Sequence, residues 1–160
     1  MPSLSDFELI ERLLLAAVLG GVLGLEREWR HKEAGLRTNT LITIGSALFT
    51  LMSIELAAGH SGDAARIAAQ IVTGIGFLGA GAIIRRDDKI QGLTTAATIW
   101  VNASVGIAVG GGQYHLAVVA TMVTLAVLLI LHPIEKYIAS KHPPDKEQTP
   151  GNEHPPDKTE

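Results

Sequence analysis

Arg66-Ile67-Ala68-Ala69-Gln70-Ile71-Val72-Thr73-Gly74-Ile75-Gly76-Phe77-Leu78-Gly79-Ala80-Gly81-Ala82-Ile83-Ile84-Arg85-Arg86 is the stretch on which the fold turns. Between Arg66 and Arg85 stand 18 residues without a charge. As a helix they span roughly 27 Å, close to the hydrocarbon thickness of a bilayer. The same run contains Gly74-Ile-Gly76-Phe-Leu-Gly79, a literal match to the dinucleotide pattern G-x-G-x-x-G. That pattern cradles a pyrophosphate only when it follows a strand and opens a helix, with an acidic residue about 20 positions on. Here it lies inside a continuous apolar run, and Asn102 and Ser104 occupy the downstream region. The nucleotide reading fails its context, and a membrane helix is expected.

Outward from this stretch the chain divides into unlike parts. Of its 160 residues 47% are apolar, a length that suits about one domain. The average hides a strongly apolar body and a polar, Pro-rich end. His-Pro-Pro-Asp-Lys occurs twice there, at His142–Lys146 and His154–Lys158. Such sequence cannot bury a core, so 136–160 is expected to be a disordered cytoplasmic tail, its duplication reflecting a loose linker. A net charge of -3 without a basic block argues against nucleic acid. The absence of Cys excludes disulfides and thiolate metal sites. Asp6, Glu8 and Glu11 stand where a signal peptide would carry bases.

Five apolar spans are expected: 7–25, 39–58, 67–84, 93–110 and 114–132, within a membrane domain of 1–135. Ser5 with Glu8 reads as a capping box for the first. Its uncharged part, Leu13–Leu25, is 13 residues and short for crossing alone. A charged segment, Glu26–Glu33, follows, with Trp29 at an interfacial position. Asp63 suits the N-cap of the third span, and Arg85–Lys89 forms a charged turn after it. Thr94 and Thr95 read as a cap for the fourth, and His132-Pro133 as the stop of the fifth. No alternation of period two appears. The third, fourth and fifth spans lack the polar face that a soluble surface helix needs.

The basic residues settle the class. Arg27, Arg30, Lys32 and Arg37 follow span one; Arg85, Arg86 and Lys89 follow span three; Lys136, Lys141, Lys146 and Lys158 follow span five. The intervening connections hold Arg66 alone. Alternate loops thus carry the bases, the pattern that orients membrane proteins. The expected fold is an all-α polytopic membrane bundle of about five transmembrane helices, N-terminus outside and C-terminus cytoplasmic. Gly21-Val-Leu-Gly24 before Gly35-Leu36-Arg37-Thr38 echoes Gly76-Phe-Leu-Gly79 before Gly92-Leu93-Thr94-Thr95. This points to a parallel repeat of two hairpins, or to coincidence in Gly- and Leu-rich sequence.

Glu26-Arg27-Glu28, Ala34-Gly35-Leu36-Arg37-Thr38, the run Arg66 to Gly81, and Gly92-Leu93-Thr94-Thr95-Ala96-Ala97 with Trp100 resemble the MgtC/SapB family of bacterial inner-membrane proteins. The resemblance covers about Leu13 to Leu131. It implies a multi-helix inner-membrane protein linked to growth under magnesium limitation, to virulence in some pathogens and to restraint of the ATP synthase. The virulence-type members carry a folded cytoplasmic domain after the last helix. This sequence has the short tail instead and looks more like the SapB-type branch.

Two sets of residues carry the functional expectations. Ala69, Thr73, Gly76 and Ala80 recur at helical spacing, and Gly74, Gly79 and Gly81 add small positions on other faces. Small faces let backbones approach closely where lipid removes the hydrophobic drive. The third span is therefore expected to be the central helix, with a looser, cavity-lining helix as the functional alternative. Polar groups near the membrane form the second set: Glu26, Arg27, Arg37, Asp63, Arg66, Gln70, Arg85 and Asn102. Each is costly if unpaired at depth, though several can snorkel to headgroups. Glu26 is expected to pair with Arg37 or Arg85. Asp87-Asp88 or Glu26 with Glu28 offers carboxylates for Mg²⁺, but neighbouring bases neutralise them, and the metal question stays open. No catalytic constellation is apparent and no cofactor is expected. The expected function is non-enzymatic, acting by helix contact with a second copy or another inner-membrane complex in the lipid bilayer. The alternative is a small transporter or channel for Mg²⁺ or protons.

Overall fold

A computed structural model describes residues 5–58, 65–86 and 89–141. The chain forms two compact units, Met1–Val127 and Leu128–Glu160. Five helices dominate it: α1 (Asp6–Trp29), α2 (Leu36–Ala58), α3 (Ala65–Gly81), α4 (Leu93–Gly110) and α5 (Tyr114–Lys141). Strands β1 (Ile84–Arg86) and β2 (Lys89–Gln91) join α3 to α4 as an antiparallel hairpin that pairs Ile84 with Gln91, Arg85 with Ile90 and Arg86 with Lys89. The all-α class expected from sequence is the observed one. Three helical segments, Leu36–Ala58, Leu93–Gly110 and Tyr114–Ile134, are long and apolar enough to cross a membrane, and Ala68–Gly81 is a shorter apolar helix.

Local chemistry explains the helix ends. Ser5 and Glu8 form the expected capping box: the Glu8 N–H donates to Ser5 Oγ at 3.3 Å and the Ser5 N–H to Glu8 Oε2 at 2.9 Å. At the far end of α1 the Lys32 N–H reaches back to the Arg27 carbonyl at 3.0 Å, with His31 left-handed at φ 53°. Glycine usually holds this position because a side chain costs about 1 kcal/mol there. His31→Gly is expected to raise stability by about 0.5–1 kcal/mol, read as a higher unfolding midpoint in detergent.

Glu28 then turns back to accept the Leu36 N–H at 3.0 Å, capping α2 from the preceding helix. At α4 the cap is Gly92, left-handed at φ 87° and without a side-chain bond. Thr94 and Thr95 are therefore not the cap. A side chain at position 92 would run into the Ala82 carbonyl, so only glycine turns the hairpin back into α4.

Four helix ends differ from expectation: α1 continues past 25 to Trp29 and α2 opens at Leu36 ahead of 39, and α3 and α5 end elsewhere as well. The third helix ends at Gly81 instead of 84. The Ala82 and Ile83 N–H groups bond three residues back, to Gly79 and Ala80, and this tightened turn releases the chain into β1. The fifth helix runs through Pro133 to Lys141. Proline forfeits one backbone bond, and a carbonyl freed where a helix leaves an apolar layer is readily re-satisfied by water. The remainder of the expected tail, 142–160, lies outside the described residues.

In the first unit α2 and α4 occupy the middle, packed on each other, with α1 and α3 on both of them. The central position expected for the third span thus belongs to α2 and α4, and α3 is a flank. α2 and α4 run parallel: the site of a Gly106 Cβ meets Thr43, Ser46 and Ala47, and that of Gly110 meets Ala47 and Thr50. The second glycine of each echoed motif contacts the next helix of its own hairpin, Gly24 at Leu36 and Asn39, Gly79 at Ala96. Two hairpins of the same sense are what a parallel repeat requires.

The interior combines apolar residues such as Leu23, Val105 and Val109 with a large share of polar ones, and the outside is rich in large apolar side chains. The buried face of α2 includes Asn39, Thr43, Ser46, Thr50 and Ser53, and that of α4 includes Thr95, Thr98 and Asn102. Outward stand Leu41, Phe49, Met52, Trp100 and Phe77, the last 84% exposed. Water would penalise this arrangement and hydrocarbon does not.

Candidate functional site

The buried polar residues form a stack along one face of α4. Thr95, Thr98 and Asn102 recur at i, i+3 and i+7, so they lie one above another. At its base the Arg27 guanidinium, 3% exposed, donates through Nη2 to Thr95 Oγ1 at 2.9 Å. One turn up, the Thr98 hydroxyl donates to the Thr94 carbonyl at 2.8 Å. Above it Asn102 Nδ2 donates to the Thr98 carbonyl at 3.0 Å and to Asn39 Oδ1 at 2.7 Å. Asn39 Nδ2 donates to the Ala34 and Gly35 carbonyls at 2.6 and 2.8 Å. The Thr43 hydroxyl lies 2.9 Å from the Asn39 carbonyl and 3.2 Å from Asn102 Oδ1, sharing one proton between them. Both amides are held in one orientation, since flipping either would set oxygen against carbonyl oxygen.

Close approach makes this network possible. Gly20 and Gly24 of α1 bring its backbone against Thr43, Leu36 and Asn39. Gly106 and Gly110 do the same for α4 against α2. Asn39, Thr43 and Asn102 are consequently sealed, each at 0% exposure.

The base of the stack is less complete. Glu26 pairs with Arg30 one turn on, in place of the expected Arg37 or Arg85. Its carboxylate oxygens and Arg27 Nε are buried without a hydrogen bond. At the other end of the unit Arg12 Nη1 donates to the Gly110 carbonyl at 2.7 Å and Nε to the Tyr114 hydroxyl at 3.1 Å. Arg12 and Arg27 therefore tie α1 to the two ends of α4. Fifteen residues separate the arginines and fifteen separate Thr95 from Gly110, roughly 22 Å of antiparallel helix in each.

The predicted polar residues thus do not form one cluster. Glu26, Arg27 and Asn102 share the interior of α1, α2 and α4. Arg37 is exposed in the first turn of α2, and Arg85 is exposed in β1. Arg66 and Gln70 are exposed in the first two turns of α3, well away from Gly79, where α3 meets the start of α4. Asp63 and the pair Asp87-Asp88 lie outside the described residues. Asn39, Thr43 and Thr98 are not among the functional candidates drawn from the sequence, and Thr95 figures there as a cap, not as a partner of Arg27. Their signal was available: small polar residues at 39, 43, 46, 50 and 53 draw a stripe of helical period through an apolar span.

The small residues of α3 are turned away from the chain. Ala69, Thr73, Gly76 and Ala80 are exposed, and a Cβ added at Gly74, Gly76 or Gly81 would meet nothing within 4 Å. Ile75 and Gly79 make the inward contacts instead. Beside them an apolar groove of about 500 Å³ runs between α2 and α3, lined by Leu41, Ile42, Phe49, Gln70, Gly74 and Leu78 among others. A second cavity of about 440 Å³ shares Leu78 and continues to Thr38, Gly81 and Ala82.

Comparison with known proteins agrees with this architecture. The MgtC family profile matches residues 13–137. The chain is 48% identical over 141 residues to the Escherichia coli (strain K12) protein named "Putative magnesium transporter YhiD", covering 84% of this chain and 66% of that one. It is 47% identical over 125 residues to Protein MgtC of Salmonella typhimurium (strain LT2), covering 78% and 53%. The chain therefore spans between about half and two thirds of the length of these relatives. No solved structure matches it significantly. Profile, identity and three helices long and apolar enough to cross a bilayer lead to one conclusion: this is a helical membrane protein, and the chain belongs to the MgtC family.

Proposed function

We propose that the chain is a non-enzymatic, multi-pass protein of the bacterial inner membrane that acts by helix contact through the outward small-residue flank of α3. The contact is with a second copy or another membrane complex, in the response to magnesium limitation. The observation carrying this is that Ala69, Thr73 and Gly76 are exposed, with nothing of their own chain at the Gly76 Cβ position, while exposed Ala80 continues the stripe at the border of the cavity beside Thr38. Small residues contribute little when they face lipid; against another helix they allow the close backbone approach that drives association in membranes. α1 crosses with its neighbours on this reading, because Arg12 and Arg27 make it coextensive with α4. The basic connections Arg27–Arg37 and Arg85–Lys89 face the cytoplasm. The link to magnesium rests on the name of the Escherichia coli relative and the family resemblance.

Transport of Mg²⁺ or protons is the competing reading. A conduction path needs polar, hydratable space. The Asn39–Asn102 network is sealed, and no group of three or more His, Asp or Glu able to hold a metal occurs among the described residues. Proteoliposome flux separates the two: Mg²⁺ or proton movement abolished by Asn102→Ala would defeat the contact reading. Gly76→Leu and Ala80→Leu should weaken association at least tenfold in a membrane two-hybrid or cross-linking assay and impair growth at low Mg²⁺. Ile71→Leu and Ile83→Leu should change neither. Equal tolerance at all four positions would sink the proposal.

A further inference from the structure

A different flank of α3 carries a second site. At 100° per residue, Gln70, Gly74 and Leu78 centre roughly 130° round the helix from Ala69, Thr73, Gly76 and Ala80, a neighbouring flank that Ala80 also borders. They line the groove toward α2, which continues past Leu78 into the cavity bounded by Phe77, Gly81 and Ala82. Volumes of about 500 and 440 Å³ each fall in the range of small-molecule sites. The lining is almost wholly apolar until the rim, where Thr38 enters it.

That rim sits at the basic end of the unit. Arg37 precedes Thr38 in the first turn of α2, and the hairpin after Ala82 brings Arg85 and Lys89; all three are exposed. The acids close by in sequence are partly committed elsewhere. Glu26 is buried against Arg30, and Glu28 caps α2 at Leu36, while Glu33 stands at the cavity. Exposed Trp29, Ile90 and Leu93 surround the same end, as expected where a protein meets headgroups. The lining itself carries one charge, Glu33, and the exposed bases Arg37 and Lys89 stand beyond it, beside Thr38 and in the hairpin after Asp87-Asp88; bases outnumber acids at this end of the chain, which suits a phospholipid with its acyl chain along α2 and α3 and its phosphate outside the rim. From this we infer that the α2–α3 groove binds an anionic phospholipid, with Arg37 and Lys89 holding its headgroup. The inference rests on the membrane reading above.

The test uses the full chain in nanodiscs of equimolar phosphatidylcholine and phosphatidylglycerol, followed by gentle detergent extraction and native mass spectrometry of retained lipid. Wild type should retain phosphatidylglycerol preferentially. Arg37→Gln with Lys89→Gln should cut that preference by about fivefold per residue, roughly 25-fold together. Gly74→Leu, whose Cβ position is open and whose side chain would fill part of the groove, should displace both lipids without changing the preference of what remains. Equal retention of the two lipids by wild type, or an unchanged preference in the double variant, would overturn the site. So would displacement of lipid by soluble glycerol phosphate, which marks a site for free phosphate. Conversion of a dimer to a monomer by Gly74→Leu, with lipid retention intact, would make the groove a copy interface and equally overturn it. Release of the chain from membranes by alkaline carbonate would sink the membrane reading itself. Carbonate-resistant protein without lipid preference would sink the lipid site alone.

Discussion

Gly106→Ala is expected to destabilise the bundle by about 2–3 kcal/mol, whereas Gly74→Ala is expected to stabilise it by about 0.5–1 kcal/mol. Both glycines lie inside helices, and by helix propensity alone both changes should help. At Gly106 the new methyl would collide with the Thr43 carbonyl and stand 2.6 Å from Ser46 Cβ and 3.1 Å from the Ala47 nitrogen. Two of the three obstacles are backbone, so relief requires moving α4 off α2, and the Asn39–Asn102 bond lengthens with it. At Gly74 the methyl meets nothing within 4 Å, and only the backbone entropy gain remains. Denaturant titration of the detergent-solubilised protein measures both. Equal effects at the two sites would mean that α2 and α4 are not in contact as described.

Asn102→Ala is expected to cost about 2–4 kcal/mol. The average hydrogen bond between membrane helices measures only about 0.6 kcal/mol, so lost bonds alone do not reach this figure. The larger part comes from what is left behind. Asn39 Oδ1 loses its donor in a site at 0% exposure, and an orphaned buried polar atom costs about 1–3 kcal/mol. The vacated amide volume adds a cavity term. Asn39→Ala with Asn102→Ala should therefore cost less than the sum of the single changes, by about 1–2 kcal/mol, because the double variant removes both halves of the orphaned pair. Strict additivity in a double-mutant cycle would show that the two amides do not meet.

These outcomes bear on how far the amino-acid sequence could be read. Helix number and approximate limits followed from apolar run length and from the punctuation at Ser5, Gly110–Gly112 and the charged turns. Among the missed boundaries, those of α3 and α5 have identifiable reasons. Gly81 ends α3 because the chain must return through Gly92 beside the Ala82 carbonyl. Pro133 fails to end α5 because one forfeited bond does not by itself break a helix. Among the candidate residues, Arg27 and Asn102 were legible as polar groups in apolar context. Their partners were not, because Thr95 and Asn39 are distant in sequence and unremarkable in type.

The arrangement of the helices shows where such reading stops. In water, burial follows apolarity, and that rule would select the fifth span, the most apolar; small-residue spacing selects the third. In a bilayer the surroundings are as apolar as the core, so hydrophobicity no longer separates inside from outside. The uncharged run between Arg66 and Arg85, together with the alternating basic loops, pointed to a helical membrane protein, although the helix within that run stops at Gly81 and the chain enters β1. Which helices lie at the centre was decided by tertiary structure alone. Asn39, Thr43 and Asn102 need partners that lipid cannot supply, and Gly20, Gly24, Gly106 and Gly110 allow the close approach that brings those partners together. That places α2 and α4 inside and leaves Gly74, Gly76 and Gly81 of α3 facing outward, with Gly79 against α4.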